Sequence, residues 1–392
     1  MKTAIVGGGA AGFFLAITLK EQCPQMDVTI FERSSRVLRK VKVSGGGRCN
    51  CTNTFADVRD LSAVYPRGHR LMKRLMKGFD QRDAYHWFER HGVPLTVQDD
   101  QCVFPAAQNS QVIINCFISH CRRLGVRLCL NTIINSLSTL QDYDFIALTT
   151  GGQPRQEGLT WLEELGHEIV APVPSLFTFS INDQALLELM GTVVEHVTAS
   201  IPATGFSACG PLLVTHWGMS GPAILRLSSY AARYLAKSDY QAPLAINWTG
   251  HNEEETRQEL QALFATHPKK QLSSLRPFDL PTRLWLYLLE KEAAPPTLTP
   301  NALPKKSFNK LVNQLTADHY TIASRAPFKD EFVTCGGIAL NSVNPVTLES
   351  KHRPRLFFAG ELLDIDGITG GFNFQAAWTT AYTVAQAIAK SS

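Results

Sequence analysis

The chain has 392 residues, a formal net charge of +4, 44% hydrophobic residues and 18% charged residues. This balance is typical of an ordinary globular protein and excludes a disordered chain, and the length indicates two or three domains. No apolar stretch reaches the roughly 20 residues that a membrane-spanning helix needs, and the chain opens directly on a strand pattern, so we expect neither a membrane anchor nor a cleaved signal peptide.

Nine cysteines are dispersed through the chain, and none of them forms a Cys-x-x-Cys pair. An odd number without paired spacing indicates neither a redox disulfide nor a metal site. Cys49 and Cys51 are separated by a single residue, which makes a local disulfide awkward. We therefore expect a cytoplasmic protein with reduced thiols.

The first predicted element is a short apolar strand, Thr3–Val6, that runs into a glycine turn and then a helix over Phe13–Lys20. Gly7, Gly9 and Gly12 have the G-x-G-x-x-G spacing of a dinucleotide-binding βαβ unit. In that unit the first glycine permits the tight turn, the second admits a pyrophosphate, and the third lets the helix pack closely. The N–H groups at the helix start then bind the phosphates.

A second apolar run, Val28–Phe31, ends in Glu32, about twenty residues after Gly12. A carboxylate at this place accepts hydrogen bonds from a ribose hydroxyl and repels a 2′-phosphate, so the pattern favours FAD or NAD over NADP. The alternative interpretation is a structural glycine turn followed by a surface glutamate.

Two further segments of the first half have the composition of ligand-binding surfaces. Ser44–Asn53 is a glycine-rich loop whose backbone N–H groups suit an anionic or polar ligand edge. The stretch 61–79 has no acidic residue but contains Arg67, Arg70, Lys73, Arg74 and Lys77, the last four of which share one face if the segment is helical. Such a face can contact nucleic-acid phosphates; the alternatives are a solvated surface or a cradle for cofactor phosphates.

The middle of the chain predicts an insertion. The α/β pattern of the first part includes a predicted helix Asp80–His91 and predicted strands Val126–Leu130 and Phe145–Leu148, the last running into Gly151-Gly152. After Pro174 come short β-type runs, followed by three predicted helices, Glu253–Thr266, Pro281–Glu292 and Lys306–Ala317. A predicted linker, Ala293–Pro304, separates the second of these helices from the third. The α/β pattern returns near Phe332. We predict a Rossmann-type α/β domain split into 1–185 and 326–392, with an inserted β-rich, barrel-like domain (186–250) and a helical subdomain (251–325).

The C-terminal piece predicts a second glycine turn at a strand end. A strand over Arg355–Ala359 is followed by Gly360-Glu361, then by Gly370-Gly371, and the chain closes with a helix over Ala376–Ala389. In a flavoprotein such a helix start can face the N1/C2=O side of the isoalloxazine ring and stabilise the reduced flavin. The alternative is a structural βα turn.

Three blocks, SGGGRCNCTN at 44–53, THWGMSGP at 215–222 and AGELLDIDGITGGFNFQAAW at 359–378, resemble those of the HI0933-like or BaiN/RdsA family of FAD-dependent oxidoreductases. The resemblance implies a split Rossmann-type FAD domain with an inserted β-rich domain and a helical subdomain. It implies FAD as cofactor, with Gly370–Asn373 near the flavin ring. The residues expected to lie close to FAD are Gly7, Gly9, Ala11, Gly12, Glu32, Arg33, Lys40, Gly46, Arg48, Asn50, Gly360, Glu361, Asp366, Gly370, Gly371 and Asn373.

The family resemblance implies flavin redox chemistry, and we expect hydride transfer from flavin N5 to an activated C=C bond. Only one dinucleotide fingerprint is visible, so NADH or NADPH would bind transiently or another donor would serve. The candidate proton donors are Cys49 and His216, with Cys335 as a weaker third. The alternatives are that Cys49 is a packed thiol and that His216 orients the Trp217 loop.

Members of the family are linked to bile-acid C=C reduction, to aminoacetone oxidation and to dihydrouridine formation in ribosomal RNA. The basic segment 67–77, with Lys269-Lys270 and Lys305-Lys306, favours ribosomal RNA or a ribosome precursor as partner. The alternatives are a small-molecule ene-reductase or amine oxidase, and a non-catalytic flavin-containing RNA-binding factor.

Overall fold

The computed structural model describes residues 1–153, 155–291, 294–326 and 333–392. The chain divides into two compact units, one formed by Met1–Pro174 with Phe332–Ser392 and the other by Ser175–Glu331. The predicted helix end at Glu292, the predicted linker start at Ala293 and the return of the α/β pattern at Phe332 lie outside the described residues.

The first unit contains most of the parallel α/β structure. Its elements before the insertion are β1 (Lys2–Val6), α1 (Ala10–Gln22), β2 (Asp27–Phe31), α2 (Arg39–Gly47), β3 (Thr52–Asn53), α3 (His69–Leu75), α4 (Gln81–Arg90), β4 (Leu95–Val97), β5 (Cys102–Pro105), α5 (Gln111–Arg123), β6 (Arg127–Cys129), β7 (Phe145–Leu148), α6 (Thr160–Glu163) and β8 (Ile169–Ser175).

The second unit carries the inserted elements, and the chain then returns to the first unit. The inserted elements are β9 (Phe179–Ile181), α7 (Gln184–Leu187), β10 (Val193–Ser200), β11 (Ser207–Val214), β12 (Gly218–Ser220), α8 (Pro222–Tyr230), α9 (Ala232–Lys237), β13 (Ala242–Asn247), α10 (Glu253–Thr266), α11 (Thr282–Lys291), α12 (Lys305–Thr316) and β14 (Asp318–Arg325). The first unit is completed by β15 (Val333–Ile338), β16 (Leu356–Phe358) and α13 (Phe372–Ser391).

The central sheet of the first unit is parallel, with the strand order β16-β7-β1-β2-β6. Its middle strand β1 pairs Ile5 with Ile30 on one side and with Ala147 on the other. These side chains are fully buried, as the apolar runs of a doubly covered parallel strand predict. The C-terminal piece thus adds an edge strand to a sheet that the N-terminal piece begins, and the predicted split Rossmann-type fold is confirmed.

Two smaller sheets complete the first unit. β3, β5 and β4 form an antiparallel sheet that carries the end of the Ser44–Asn53 loop, and β15 pairs with β8. Helices α1 and α13 pack against each other, and the buried rings of Phe14 and Trp378 lie 5.3 Å apart between them. This contact brings the first and last helices of the chain together beside the sheet.

The second unit is built around a closed barrel with the strand order β10-β11-β12-β9-β14-β13. Its interior is apolar, with Phe179, Leu212, Ile246 and Ile322 fully or almost fully buried. Helix α12 packs on β13 and β14, and α10 and α11 pack on α12, so the predicted helical subdomain belongs to the same compact unit as the barrel. The expected boundary at residue 186 falls inside this unit, which begins at Ser175.

A buried carboxylate joins α11 to the barrel. Asp318 at the start of β14 is 2% exposed, pairs with Lys291 and accepts a 3.0 Å hydrogen bond from Trp248 Nε1. Because a buried carboxylate needs such partners, this contact fixes the helix end on the strand. No helix in the described part of the chain is long and apolar enough to cross a membrane.

Candidate functional site

In the glycine turn between β1 and α1, Gly7 and Gly12 leave no room for a side chain, whereas Gly9 between them does. A Cβ at Gly7, where φ is +118°, would collide with the carbonyl of Thr149, and a Cβ at Gly12 would collide with the carbonyl of Gly7. A Cβ at Gly9 would meet nothing within 4 Å, so this residue borders open space at the N-terminus of α1. The first turn of α1 contains no acidic residue. The turn is therefore shaped and polarised to receive a pyrophosphate.

Thr149 holds the turn from the neighbouring strand. Its hydroxyl donates to the carbonyl oxygens of Gly7 at 2.9 Å and Val6 at 3.1 Å, and its side chain is buried. Sequence reasoning singled out Gly151-Gly152 just after it and missed Thr149 itself. Its position directly after an apolar strand was the available signal, since ligand sites gather at that edge of a parallel sheet.

Glu32 follows β2 and ties the glycine turn to the next loop. Its Oε2 accepts from the Gly8 N–H at 2.9 Å, and its Oε1 accepts from the N–H and the hydroxyl of Ser34, both at 2.9 Å. The side chain is half-buried, while Arg33 beside it is exposed. A carboxylate has about four lone-pair sites, so Glu32 can still accept a hydrogen bond from a ribose hydroxyl.

The Ser44–Asn53 loop departs from helical geometry inside α2. Gly45, Gly46 and Gly47 all have positive φ, and a Cβ at Gly46 would meet nothing within 4 Å. The guanidinium of Arg48 lies 4.2 Å from the centre of the Phe104 ring, and its Nε donates to the Gly45 carbonyl at 3.1 Å. Three successive left-handed residues expose backbone groups in a concave arrangement, which suits the polar edge of a ligand.

Two asparagines join this loop to the second glycine turn. With its amide oriented by the hydrogen-bond network, Asn50 donates to the Thr52 carbonyl at 2.8 Å and accepts from the Gly371 N–H at 3.2 Å. Asn53 donates to the Gly370 carbonyl at 3.1 Å. The sequence predicts Asn50 near the cofactor, whereas the contact made by Asn53 has no sequence signal beyond its place in the block 44–53. The structure brings both predicted glycine segments together.

Asn373 shapes the second turn from within. Its amide accepts from the Gly367 N–H and donates to the Gly367 carbonyl, both at 2.8 Å. These two bonds leave the side chain turned back on its own loop. Asn373 therefore organises the loop Gly367–Gly371 ahead of α13.

The C-terminal strand end meets the N-terminal helix start. A Cβ at Gly360 would lie 3.0 Å from the Cβ of Ala11, so these two predicted cofactor residues are neighbours. Beyond Gly360, Glu361 accepts from the Thr334 N–H at 2.8 Å and pairs with Lys40 at 2.7 Å. Lys40 of α2 and Glu361, just after β16, thus neutralise each other.

The basic segment is only partly a helical face. Helix α3 ends at Leu75, so Arg70, Lys73 and Arg74 lie on it with exposed side chains, whereas exposed Lys77 lies beyond its end. Arg67 precedes the helix and pairs with Asp366, which is fully buried. The predicted helical face of four basic residues is therefore reduced to Arg70, Lys73 and Arg74. The fifth basic residue, Arg67, faces a buried carboxylate. Asp366, expected beside the cofactor, likewise faces Arg67.

The three candidate proton donors lie in different surroundings. Cys49 is fully buried, with its Sγ 3.9 Å from that of Cys51, and burial raises the pKa of the Cys51 thiol well above its usual range. Cys335 is also fully buried. His216 is exposed in the second unit, at the tip of the β11–β12 hairpin beside Trp217. The geometry favours the packed-thiol interpretation of Cys49.

The family model described as HI0933-like protein Rossmann domain matches residues 1–387. The chain belongs to the HI0933-like family. It is accordingly an FAD-dependent oxidoreductase, as the resemblance of its three sequence blocks predicted. The glycine turn, Glu32 and the Ser44–Asn53 loop have the donor and acceptor groups that FAD needs, so the residues fit this cofactor.

Several curated relatives match over almost the whole chain. A ribosomal RNA dihydrouridine synthase of Haemophilus influenzae is 26% identical, with 98% of each chain covered. A protein of the same name from Escherichia coli strain K12 is 27% identical, over 99% of this chain and 98% of that one. A 3-dehydro-bile acid delta(4,6)-reductase of Clostridium scindens is 23% identical, over 99% of each chain.

A solved structure shares the fold. The 3-ketosteroid delta1-dehydrogenase of Sterolibacterium denitrificans, solved with 1,4-androstadiene-3,17-dione, superposes with a TM-score of 0.54 at 10% identity. The match covers 100% of this chain and 99% of that chain. At this identity the likeness establishes the architecture and leaves the reaction to be argued from the site.

Proposed function

We propose that this protein reduces an activated C=C bond, and that its substrate is a uridine of ribosomal RNA, which becomes dihydrouridine. The names of the two bacterial relatives at 26% and 27% identity support this substrate. The observation that carries the proposal is the exposed basic face of α3, in the same compact unit as the glycine turn. We propose a cytoplasmic location as well, because that is where a bacterial enzyme would meet ribosomal RNA.

The basic face has the chemistry of a phosphate-binding surface. Arg70, Lys73, Arg74 and Lys77 are exposed, and the stretch 61–79 contains no acidic residue. Each phosphate contact adds a salt-dependent increment to affinity that does not depend on base sequence. This face would therefore position RNA, and the reacting uridine would have to leave its stack to reach the flavin.

We propose the following cofactor contacts, which the geometry of the first unit supports. The turn at Gly7–Gly12, with Ala11, would bind the pyrophosphate, and Glu32 with Arg33 would lie at the ribose. The ring side would be formed by Lys40, Gly46, Arg48, Asn50, Gly360, Glu361, Gly370, Gly371 and Asn373. Bound in its reduced form, FAD supplies a hydride to an electron-poor carbon. NADH or NADPH is the proposed transient electron donor.

The reduction also needs a proton at the carbon next to the one that receives the hydride. We propose His216 for this role, since its ring is exposed whereas Cys49 is fully buried. His216→Gln should lower turnover of FAD-loaded protein by about 100-fold, the usual size of a general-acid contribution. Cys49→Ser should leave turnover per bound FAD unchanged. The reverse pattern would assign the proton to the thiol.

The decisive test is nucleoside mass spectrometry of ribosomal RNA from cells with and without the gene. Deletion should remove a dihydrouridine, and the wild-type gene should restore it. A Gly12→Val gene should not restore it, because a side chain at that position closes the glycine turn. An unchanged nucleoside profile after deletion would exclude ribosomal RNA as the substrate.

A small-molecule enone is the second candidate, favoured by the name of the Clostridium scindens relative, which covers almost the whole chain. It predicts rapid NADPH-driven reduction of a steroid-like enone by the purified protein. It also predicts no retention of RNA in a filter-binding assay. The two substrates are distinguished by measuring both with one FAD-loaded preparation.

A further inference from the structure

The segment Val64–Gly68, just before α3, is clamped to the segment Ile365–Phe372, which leads into α13 and includes its first residue. The Val64 carbonyl accepts from the Ile368 N–H at 2.9 Å, and the Tyr65 hydroxyl donates to the Phe372 carbonyl at 2.8 Å. A Cβ at Gly68 would lie 2.7 Å from the side chain of Ile365. Two chain segments far apart in sequence therefore meet along their whole length.

The centre of this clamp is the ion pair between Arg67 and Asp366. Arg67 Nε donates to Asp366 Oδ1 at 2.6 Å, and an Nη atom pairs with the other carboxylate oxygen. Asp366 is 0% exposed and the Arg67 side chain 13%. Burial works to lower the pKa of Arg67, but the hydrogen bond and charge of Asp366 outweigh it and raise that pKa.

Such a bidentate, buried pair restrains both segments. Separating the partners would take the bidentate guanidinium away from a fully buried carboxylate, which is costly, so the pair holds the two segments against each other. Tyr65, which is also fully buried, holds the same loop one turn further along. The clamp is thus a stiff connection inside the first unit.

The clamp connects two different parts of the first unit, the basic face of α3 and the glycine loop before α13. On one side, Gly68 is the N-cap of α3, whose exposed face carries Arg70, Lys73 and Arg74. On the other side, the clamped loop continues into Gly370 and Gly371, which are bonded to Asn53 and Asn50 of the glycine-rich loop. The surface proposed for RNA and the loop proposed for the flavin ring are therefore the two ends of one connection.

We propose that Arg67 is a positioning residue, which through Asp366 holds the loop Gly367–Gly371 in the form that receives the flavin ring and links that loop to polyanion binding on α3. The link to RNA rests on the proposed function. The positioning role rests on the contacts between Val64–Gly68 and Ile365–Phe372 and on the proposed placement of the flavin ring at Gly370–Asn373. RNA bound to α3 then changes the environment of the flavin.

The first experiment needs no RNA and compares FAD binding and the visible flavin spectrum among variants. Arg67→Met should raise the FAD dissociation constant by about tenfold or more and shift the flavin absorption bands. Arg67→Lys should restore part of both effects. The double variant Arg67→Met with Asp366→Asn also removes the charge of the buried carboxylate. It should bind FAD as weakly as Arg67→Met if lost positioning is the cause, and more tightly if the buried charge is the cause.

The matched control is Arg82→Met. Arg82 also pairs with an aspartate of the first unit, Asp80, at 2.8 Å, but its side chain is 80% exposed. This variant should bind FAD with the wild-type dissociation constant and spectrum. If the folded Arg67→Met protein, verified by circular dichroism, behaves like Arg82→Met, the positioning role is overturned.

The second experiment adds a uridine-containing RNA hairpin to FAD-loaded protein and follows the flavin difference spectrum together with RNA anisotropy. Wild type should show a saturable change in the flavin spectrum, and the RNA concentration at its midpoint should equal the midpoint of RNA binding measured by anisotropy. Lys73→Gln with Arg74→Gln should shift both midpoints to higher RNA concentration, and Arg67→Met should bind RNA without the spectral change. RNA binding without any flavin response in wild type overturns the link between RNA binding and the flavin loop. Absence of RNA binding overturns both the RNA substrate and the link. In either case the first experiment still decides the role of Arg67.

Discussion

The glycine turn at Gly7–Gly12 and the glycine loop at Gly367–Gly371 lie in the same unit but are built in different ways. The turn depends on backbone geometry, because side chains at Gly7 or Gly12 would collide with neighbouring carbonyls. The loop is held by side chains from a distant part of the sequence, namely Asn50, Asn53, Tyr65 and Arg67. A phosphate is recognised by backbone N–H groups at a helix start, whereas a planar ring needs a pocket assembled from several segments.

The largest effect should follow from closing the turn. Gly12→Val places a side chain against the Gly7 carbonyl and should lower the free energy of unfolding by about 3 kcal/mol, the upper range for overpacking. It should also abolish FAD binding. Equilibrium denaturation and a flavin absorption spectrum of the purified variant measure the two quantities.

Gly9→Ala is the matched control for the turn, since a Cβ at Gly9 would meet nothing within 4 Å. It should leave the free energy of unfolding of the FAD-free protein within about 1 kcal/mol of wild type, the loss of a glycine being nearly neutral in unstrained backbone. FAD affinity should nevertheless fall. Equal destabilisation by both variants would mean that packing alone explains the glycines.

An intermediate effect is expected when the loop loses one side-chain anchor. Asn53→Ala removes the hydrogen bond to the Gly370 carbonyl and should lower the free energy of unfolding by about 1–3 kcal/mol. It should also raise the FAD dissociation constant and broaden the flavin bands. Asn115→Ala, on the exposed face of α5, is the comparison and should change neither quantity.

Glu32→Gln should have a smaller effect on stability than on cofactor binding. The amide can replace only part of the carboxylate's acceptor capacity toward Gly8 and Ser34, so we expect a loss of about 1 kcal/mol in unfolding free energy. FAD affinity, measured by fluorescence titration, should drop by about tenfold. Unchanged affinity would remove Glu32 from the ribose site.

The smallest effect should come from the exposed ion pair. Lys40 is 50% exposed and Glu361 19%, so Lys40→Met should change the free energy of unfolding by less than about 1 kcal/mol. Thermal unfolding of the FAD-free protein measures this. A larger loss would show that this pair, like the buried pair of Arg67, fixes a segment of the site.

The comparison also explains what the sequence could predict. The βαβ start was predictable because strand, glycines, helix and Glu32 are local signals with fixed spacing, and the structure has β1, α1 and β2 at those places. The position of Tyr65 and Arg67 beside the C-terminal loop was not predictable, because nothing in their local sequence identifies a partner about 300 residues away.

The second unit shows the same limit. The predicted helix Glu253–Thr266 occurs with those bounds, because its polar start and apolar spacing are local. A barrel-like domain was predicted, but the strand that closes it was not: β14 follows β13 only after helices α10, α11 and α12, yet it pairs with both β13 and β9. Pairing between strands so far apart is decided by which apolar faces fit together.

The ends of the insertion have a consequence for how this family can change. The strands that flank it, β8 and β15, are paired in the first unit, and its own first and last strands, β9 and β14, are paired in the second. The strand pairing of the first unit therefore does not depend on which segment is placed between β8 and β15. The whole inserted segment can therefore be replaced during evolution without changing the strand order of the unit that holds the glycine turn and the glycine loop.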